Sequence, residues 1–309
     1  MKEHLRKWRA RVQTSFARVD KVLGGSLTIL RSAVERFTAV RGSQAAASLS
    51  YYAFFSMFPL LLFILIIAGS LVGREKVYDQ LVQVLGGVLP VGHDVVGRTI
   101  EQVLPHAGGL QLVAALGLLW SGTAFFGALV SNMDLAWPGV RAANPLRQRL
   151  YGLLMVGVLT LLLLLSLLLN VLIDVLLRLR PALLLLEPLL EQALWPRITK
   201  FLAAGVALLL LFGLYWAVPK AKVRWQAAAL GALVAGLAWY LVSWGFSRLV
   251  ASGLTRYETV YGSLGAVAAL LFWMYLTNWI VLVGAHLTAA VDRRATHQRP
   301  RAPSSAPPA

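Results

Sequence analysis

The chain has 309 residues, 58% hydrophobic and only 14% charged, with a mean hydropathy of +0.70; soluble domains carry roughly 25% charged residues, so a water-soluble fold is excluded. With no cysteine, disulfides, thiolate catalysis and thiolate metal sites are excluded as well. The net charge of +16, from 29 Lys and Arg against 13 Asp and Glu, fits cytoplasmic loops and anionic lipid headgroups better than nucleic acid.

Residues 1–41 form a basic segment. Leu5, Trp8, Val12, Phe16, Val19 and Leu23 recur at helical steps among Lys and Arg, which predicts an amphipathic helix on the inner leaflet. Gly24-Gly25-Ser26 breaks it, and a second helix is expected with Leu27, Leu30, Val34 and Phe37 on one face. No cleavable signal peptide is expected, because the first apolar run begins beyond residue 41 and is too long for one.

Six charge-free runs follow, at 42–73, 107–133, 150–173, 201–219, 225–247 and 259–291. Each is near the length that crosses a bilayer as a helix. The predicted spans are about 47–72, 110–131, 150–173, 200–218, 226–248 and 264–287. The fold class is therefore all-α: a polytopic membrane protein of six transmembrane helices with amphipathic interfacial helices. Counting Lys and Arg outside the spans places 20 on the side of the termini and 8 on the other, with Lys200 at a boundary. That bias puts both termini in the cytoplasm.

The first outer loop, 73–109, predicts two short amphipathic helices. Val77, Leu81, Val84 and Val88 mark one, and Val96, Ile100, Val103 and Leu104 the other, divided by Gly86-Gly87 and Pro90. The second, 174–199, has leucines interrupted by Arg180-Pro181, Glu187-Pro188 and Trp195-Pro196. It reads as interfacial or re-entrant, not as a seventh span. Residues 42–292 are thus one membrane domain, and 293–309 a Pro- and Ala-rich tail expected to be disordered.

Chemistry is sparse. In the first span Ser48, Tyr52 and Ser56 lie four apart on one stripe, above Pro59, which lacks an N–H and frees the carbonyl of Phe55. Such a stripe can line a substrate path or bond between helices. The last span carries Tyr275, Asn278 and His286. Asn278 should face protein or water, since facing lipid is costly. An imidazole titrates near pH 6.5 when unperturbed, so His286 is either proton-responsive or a neutral hydrogen-bonding group. These seven residues are the substrate-pathway candidates.

Asp134 and Asp174 end spans, where water can reach them, and Arg141, Arg147 or Arg149 can pair with Asp134. Ala227, Gly231 and Ala235, and Gly117 with Ser121, are small residues four apart that permit close helix approach. The five histidines, His4, His93, His106, His286 and His297, have no ligand spacing. No nucleophile–base pair or nucleotide loop is present in the sequence pattern, so no catalytic residue, metal or cofactor is expected. The expected partners are the bilayer and its anionic headgroups, with a homo-oligomer left open and no nucleic acid.

Three stretches carry a resemblance. The first is Ala45-Ala46-Ala47-Ser48-Leu49-Ser50-Tyr51-Tyr52-Ala53 through Ser56-Met57-Phe58-Pro59-Leu60-Leu61. The second is Leu214-Tyr215-Trp216-Ala217-Val218-Pro219 with Val223-Arg224-Trp225 and Gly231. The third is Tyr257, Tyr261-Gly262-Ser263-Leu264, Trp273-Met274-Tyr275-Leu276 and Gly284-Ala285. Together the chain resembles the YihY/virulence factor BrkB family of bacterial inner-membrane proteins, once named ribonuclease BN. The resemblance covers about residues 35–292 and implies six spans, the bacterial inner membrane and a largely undefined activity. His286 and Tyr240 stand where the family often has Glu, and Asp134 where it usually has Asn.

The expected function is a transporter, exporter or lipid flippase of unknown substrate. The alternative is a non-transporting membrane scaffold or envelope-assembly factor. An enzyme, ribonuclease or lipid-modifying, is not expected, since metal-assisted RNA hydrolysis would need a His/Asp cluster.

Overall fold

A computed structural model describes residues 26–73, Tyr78, Leu81, 107–140, Leu146, 149–158, Leu161, 195–252 and 263–297. The regular structure among them is helical: α1 Ser26–Ala39, α2 Gly42–Val72, α3 Ala107–Asp134, α4 Arg149–Val158, α5 Trp195–Ala217, α6 Trp225–Ala251 and α7 Ser263–His297. The expected helix over 5–23, most of both outer loops, the far part of the third span with Asp174, Arg141, Arg147 and the end of the tail lie outside the described residues.

Four helices are long and apolar enough to cross a membrane, through Gly42–Phe63, Ala115–Asp134, Trp225–Val250 and Leu264–Thr296. The sequence predicts six. The third predicted span is described only as far as α4 and Leu161, and the fourth falls in α5, whose described apolar stretch is the shorter Ala204–Ala217. Two boundaries differ from expectation. Helix α5 already begins at Trp195, because Pro196 sits in its first turn, where proline's missing N–H costs nothing. Helix α7 runs on to His297, beyond residue 293, with Arg293 and Asp292 held by bonds to neighbouring segments.

Helix α7 is the hub and touches α1, α2, α3, α5 and α6. It runs antiparallel to α6: Gly231 lies against Thr288, Ala235 against Gly284, and Phe246 against Trp273. A Cβ on Gly231 would stand 1.9 Å from Thr288 Oγ1, and one on Gly284 2.2 Å from the Tyr215 hydroxyl. The stripe of Ala227, Gly231 and Ala235 is buried in this contact. In lipid, where tails are as apolar as side chains, such backbone approach supplies the dispersion contacts that hold helices together. Tyr215 adds a bond across helices, donating to the Val281 carbonyl at 2.9 Å from a fully buried position.

Helices α2 and α3 pack antiparallel, with Pro59 over Gly117, and α2 continues through the proline without a break. Helix α4 leans on α3, Gly152 against the Thr123 backbone and Val156 against Gly122. Toward one end, Leu61, Leu65, Phe246, Leu270, Trp273 and Met274 make a second core. Leu81 of the first outer loop is helical and buried in it, as its place on an apolar face predicted.

Helix α1 docks on α7 through Ala33 and Phe37, with Ile29 alongside Leu287 and Ala290. Of the expected face of Leu27, Leu30, Val34 and Phe37, Phe37 is buried against α7 while Leu30 and Val34 are half exposed. Small Ala33 lets α1 lie close to α7, so the bulkier pair is turned outward. Arg41, in the left-handed conformation at φ 57°, makes the turn into α2, and the Phe37 ring fills the space over Gly42.

Candidate functional site

At one end of the bundle α3, α5 and α7 finish and α6 begins, and here polar contacts tie the segments together. Asp134 accepts the Lys220 backbone N–H at 3.1 Å and faces its ammonium at 3.6 Å. Among the described residues its partner is therefore Lys220, in the α5–α6 connection; Arg141 and Arg147 lie outside them. Asp292 accepts the Arg224 backbone N–H at 3.1 Å. Arg36 of α1 donates to the Leu135 carbonyl, and Arg293 of α7 to that of Ala136. These contacts satisfy backbone groups that helix ends leave without partners. The sequence signals for them were the Val223-Arg224-Trp225 stretch and the two aspartates, but nothing local says which distant chain each would meet.

The stripe of α2 has an outward course. Ser48 is exposed, Tyr52 is 37% exposed and neighbouring Tyr51 57%, whereas Leu49 and Ser50 on the other side are buried. Tyr51 and Tyr52 pack edge to face, and Tyr51 lies on Phe55. One turn further, Ser56 turns inward, its hydroxyl bonded to the Ala53 carbonyl at 3.0 Å. It enters the wall of a cavity of about 70 Å³ between α2, α3 and α4, completed by Leu60, Leu118, Gly122, Phe125, Phe126 and Val156. At 1.5 Å per residue, Ser48 stands about 9 Å and Ser56 about 21 Å from Gly42 along the axis. The cavity thus lies about halfway along the 31-residue α2 helix, well inside its apolar length, and Pro59 lies one turn beyond, seated on α3.

The α7 candidates lie elsewhere. Asn278 is buried and donates to Met274 O of its own helix at 2.9 Å. His286 is 1% exposed, with Nδ1 2.8 Å from Leu282 O. A carbonyl only accepts, so Nδ1 carries a proton, and Nε2 has no hydrogen-bond partner among the described residues. The ring of Phe37 meets His286 edge-on at 5.5 Å. Tyr275 is half-buried and stacks on Phe272. Eight residues separate Asn278 from His286, about 12 Å of helix, and each bonds back to its own turn. Tyr240, where the resemblance expects Glu, is on the outer face of α6 and does not approach His286. Of the seven candidates, only Ser56 lines this cavity. Among the described residues no three His, Asp or Glu side chains converge as a metal site would require.

The family model for virulence factor BrkB matches residues 33–309. A UPF0761 membrane protein of Vibrio vulnificus is 25% identical over 276 residues, covering 89% of this chain and 85% of the relative. A protein of Bacillus subtilis named ribonuclease-like, YfkH, is 25% identical over 87% of the chain and 96% of its own length. A UPF0761 membrane protein of Alkalilimnicola ehrlichii is 30% identical over 83% of the chain and 56% of the relative. No solved structure matches the chain.

Proposed function

The chain belongs to the virulence factor BrkB family, and from that premise we propose that it moves an amphiphilic substrate across the bacterial inner membrane along its lipid-facing side, as an exporter or flippase would. The observation that carries this reading is the course of the α2 stripe. Ser48, Tyr51 and Tyr52 line the outer surface toward the charged end, and Ser56 leads into an apolar recess further along the helix. A substrate with a polar head and an apolar tail fits that order, head along the hydroxyls and tail in the recess. The proposal places six helices across the membrane with both termini cytoplasmic. The excess of Lys and Arg at the end carrying Lys220, Arg224 and Arg293 supports this.

The test is the purified full-length protein in liposomes, assayed with labelled phospholipids and a panel of small solutes. Ser56→Phe, which fills the recess, is expected to slow movement severalfold with the thermal midpoint nearly unchanged, and Tyr52→Phe to slow it less. Wild-type protein that moves nothing on the panel, or Ser56→Phe at the wild-type rate, overturns the proposal.

A second reading, a non-transporting scaffold or envelope-assembly factor, is favoured by α7. Its Asn278 and His286 are buried and bonded within their own helix, which suits packing rather than passage. Co-purification of a stoichiometric envelope protein with a transport-silent chain would favour it. The proposal includes no enzymatic step, and the ribonuclease-like name of the Bacillus relative is not carried over.

A further inference from the structure

Arg36 and Arg293 come from opposite ends of the sequence yet bond to consecutive carbonyls. Arg36 Nε donates to Leu135 O at 3.1 Å and Arg293 Nη1 to Ala136 O at 2.9 Å. Adjacent residues are 3.80 Å apart at Cα, so the two guanidinium groups are anchored to neighbouring points of one turn, close enough for Arg36 to act on the charge of Arg293. Each uses one N–H in this way, and among the described residues the rest of its planar fork meets no other hydrogen-bond partner. Neither has a carboxylate within ion-pair distance among the described residues. Asp134 is taken by Lys220, and Asp292 has Oδ1 on the Arg224 backbone while lying close enough to act on Arg293. Two half-buried positive charges in one place repel each other, and an anion between them removes that repulsion and meets their forks with charge-assisted bonds.

We propose that Arg36 and Arg293 form a binding site for the phosphate of an anionic membrane lipid, where α1 meets the ends of α3 and α7. The position selects a lipid over a free ion. The site is at the level where the spanning helices stop, which is headgroup depth. On the face of α1 turned away from the bundle, Leu30 and Val34 are each about half exposed, so the helix that supplies Arg36 also presents apolar side chains outward. The site stands apart from the α2 stripe and is independent of whether the protein transports anything.

Native mass spectrometry of the full-length protein in detergent, with added phosphatidylglycerol or phosphatidylcholine, tests this. Wild-type protein is expected to retain phosphatidylglycerol preferentially. Arg36→Gln/Arg293→Gln should lose that occupancy by about five-fold or more, the scale of a charge-assisted pair. Arg41→Gln/Lys222→Gln removes the same charge from exposed positions at the same end and should retain the lipid. Equal loss in both double variants, or retention in the first, overturns the site. Displacement of the lipid by an equal concentration of inorganic phosphate overturns the lipid assignment. Should the Gln pair not yield folded protein, Arg36→Lys/Arg293→Lys keeps the charge but loses the fork, and about a two-fold loss is expected; wild-type retention there overturns the proposal equally.

Discussion

The α6–α7 contact and the α2–α3–α4 region are built from the same kinds of residue and come out opposite. Between α6 and α7, Gly231 and Gly284 bring backbones together, and Tyr215, Thr288 and Ala235 fill what is left. Between α2, α3 and α4, glycines also meet their neighbours at Gly117 and Gly152, but Leu60, Phe125 and Phe126 surround a recess that no side chain among the described residues fills, and Ser48, Tyr51 and Tyr52 face outward. Both regions have glycines and hydroxyls at four-residue steps, so the step alone does not say whether a stripe is closed or open. What decides is the partner helix. Small residues opposite small residues close the gap, while aromatic residues opposite small ones leave room. The closed region suits architecture, and the open one is where a substrate can enter.

That contrast can be broken most severely at Gly231. Gly231→Leu forces several carbon atoms into space already held by Thr288 and the Gly284 carbonyl, and should cost about 3 kcal/mol or more. Loss of monodisperse protein on size-exclusion chromatography, or a large fall in thermal midpoint, is the expected result. An unchanged midpoint would mean that α6 and α7 are not in close contact. A smaller effect is expected at Tyr215. Tyr215→Phe removes the bond to Val281 O but keeps the ring, and should cost about 0.6 kcal/mol, the mean for bonds between membrane helices. Midpoints in detergent would read this as a shift of a degree or two, and a fall as large as that of Gly231→Leu would contradict it. The smallest effect, and of opposite sign, is expected in the open region. Gly157 on α4 is exposed, with no atom of the described residues within 4 Å of an added Cβ. Gly157→Ala should therefore leave stability unchanged or raise it by no more than about 0.5 kcal/mol, the lower end of the helix-propensity gain. Destabilisation there would show that the α4 face is covered.

The candidate site was legible in part. Ser48, Tyr52 and Ser56 do form a stripe, because helical spacing is local. Whether it faces inward or outward was not legible, and the structure turns it out until Ser56. Asn278 was expected to face protein or water, since facing lipid would leave its amide unsatisfied, and it is buried against protein. Its bond to Met274 O, however, depends on the rotamer that packing allows. Asp134 was visible as a helix end, but its partner Lys220 is 86 positions away and two helices on.

The sequence by itself determined that the chain is a membrane protein, that it is helical, and where α3, α6 and the start of α7 lie to within a few residues. Lipid offers no partner for backbone N–H and C=O groups, so an apolar run of sufficient length must satisfy them within its own helix. Only the tertiary structure decided which face of each helix is buried. In water, the buried face is apolar and the exposed one polar, and the period reveals it. In a membrane both faces are apolar, as on α6, where Leu233, Leu237 and Trp244 are exposed and Ala228, Ala232 and Ala235 are buried. There size, not polarity, marks the inside, and size shows its meaning only when the neighbouring helix is in place.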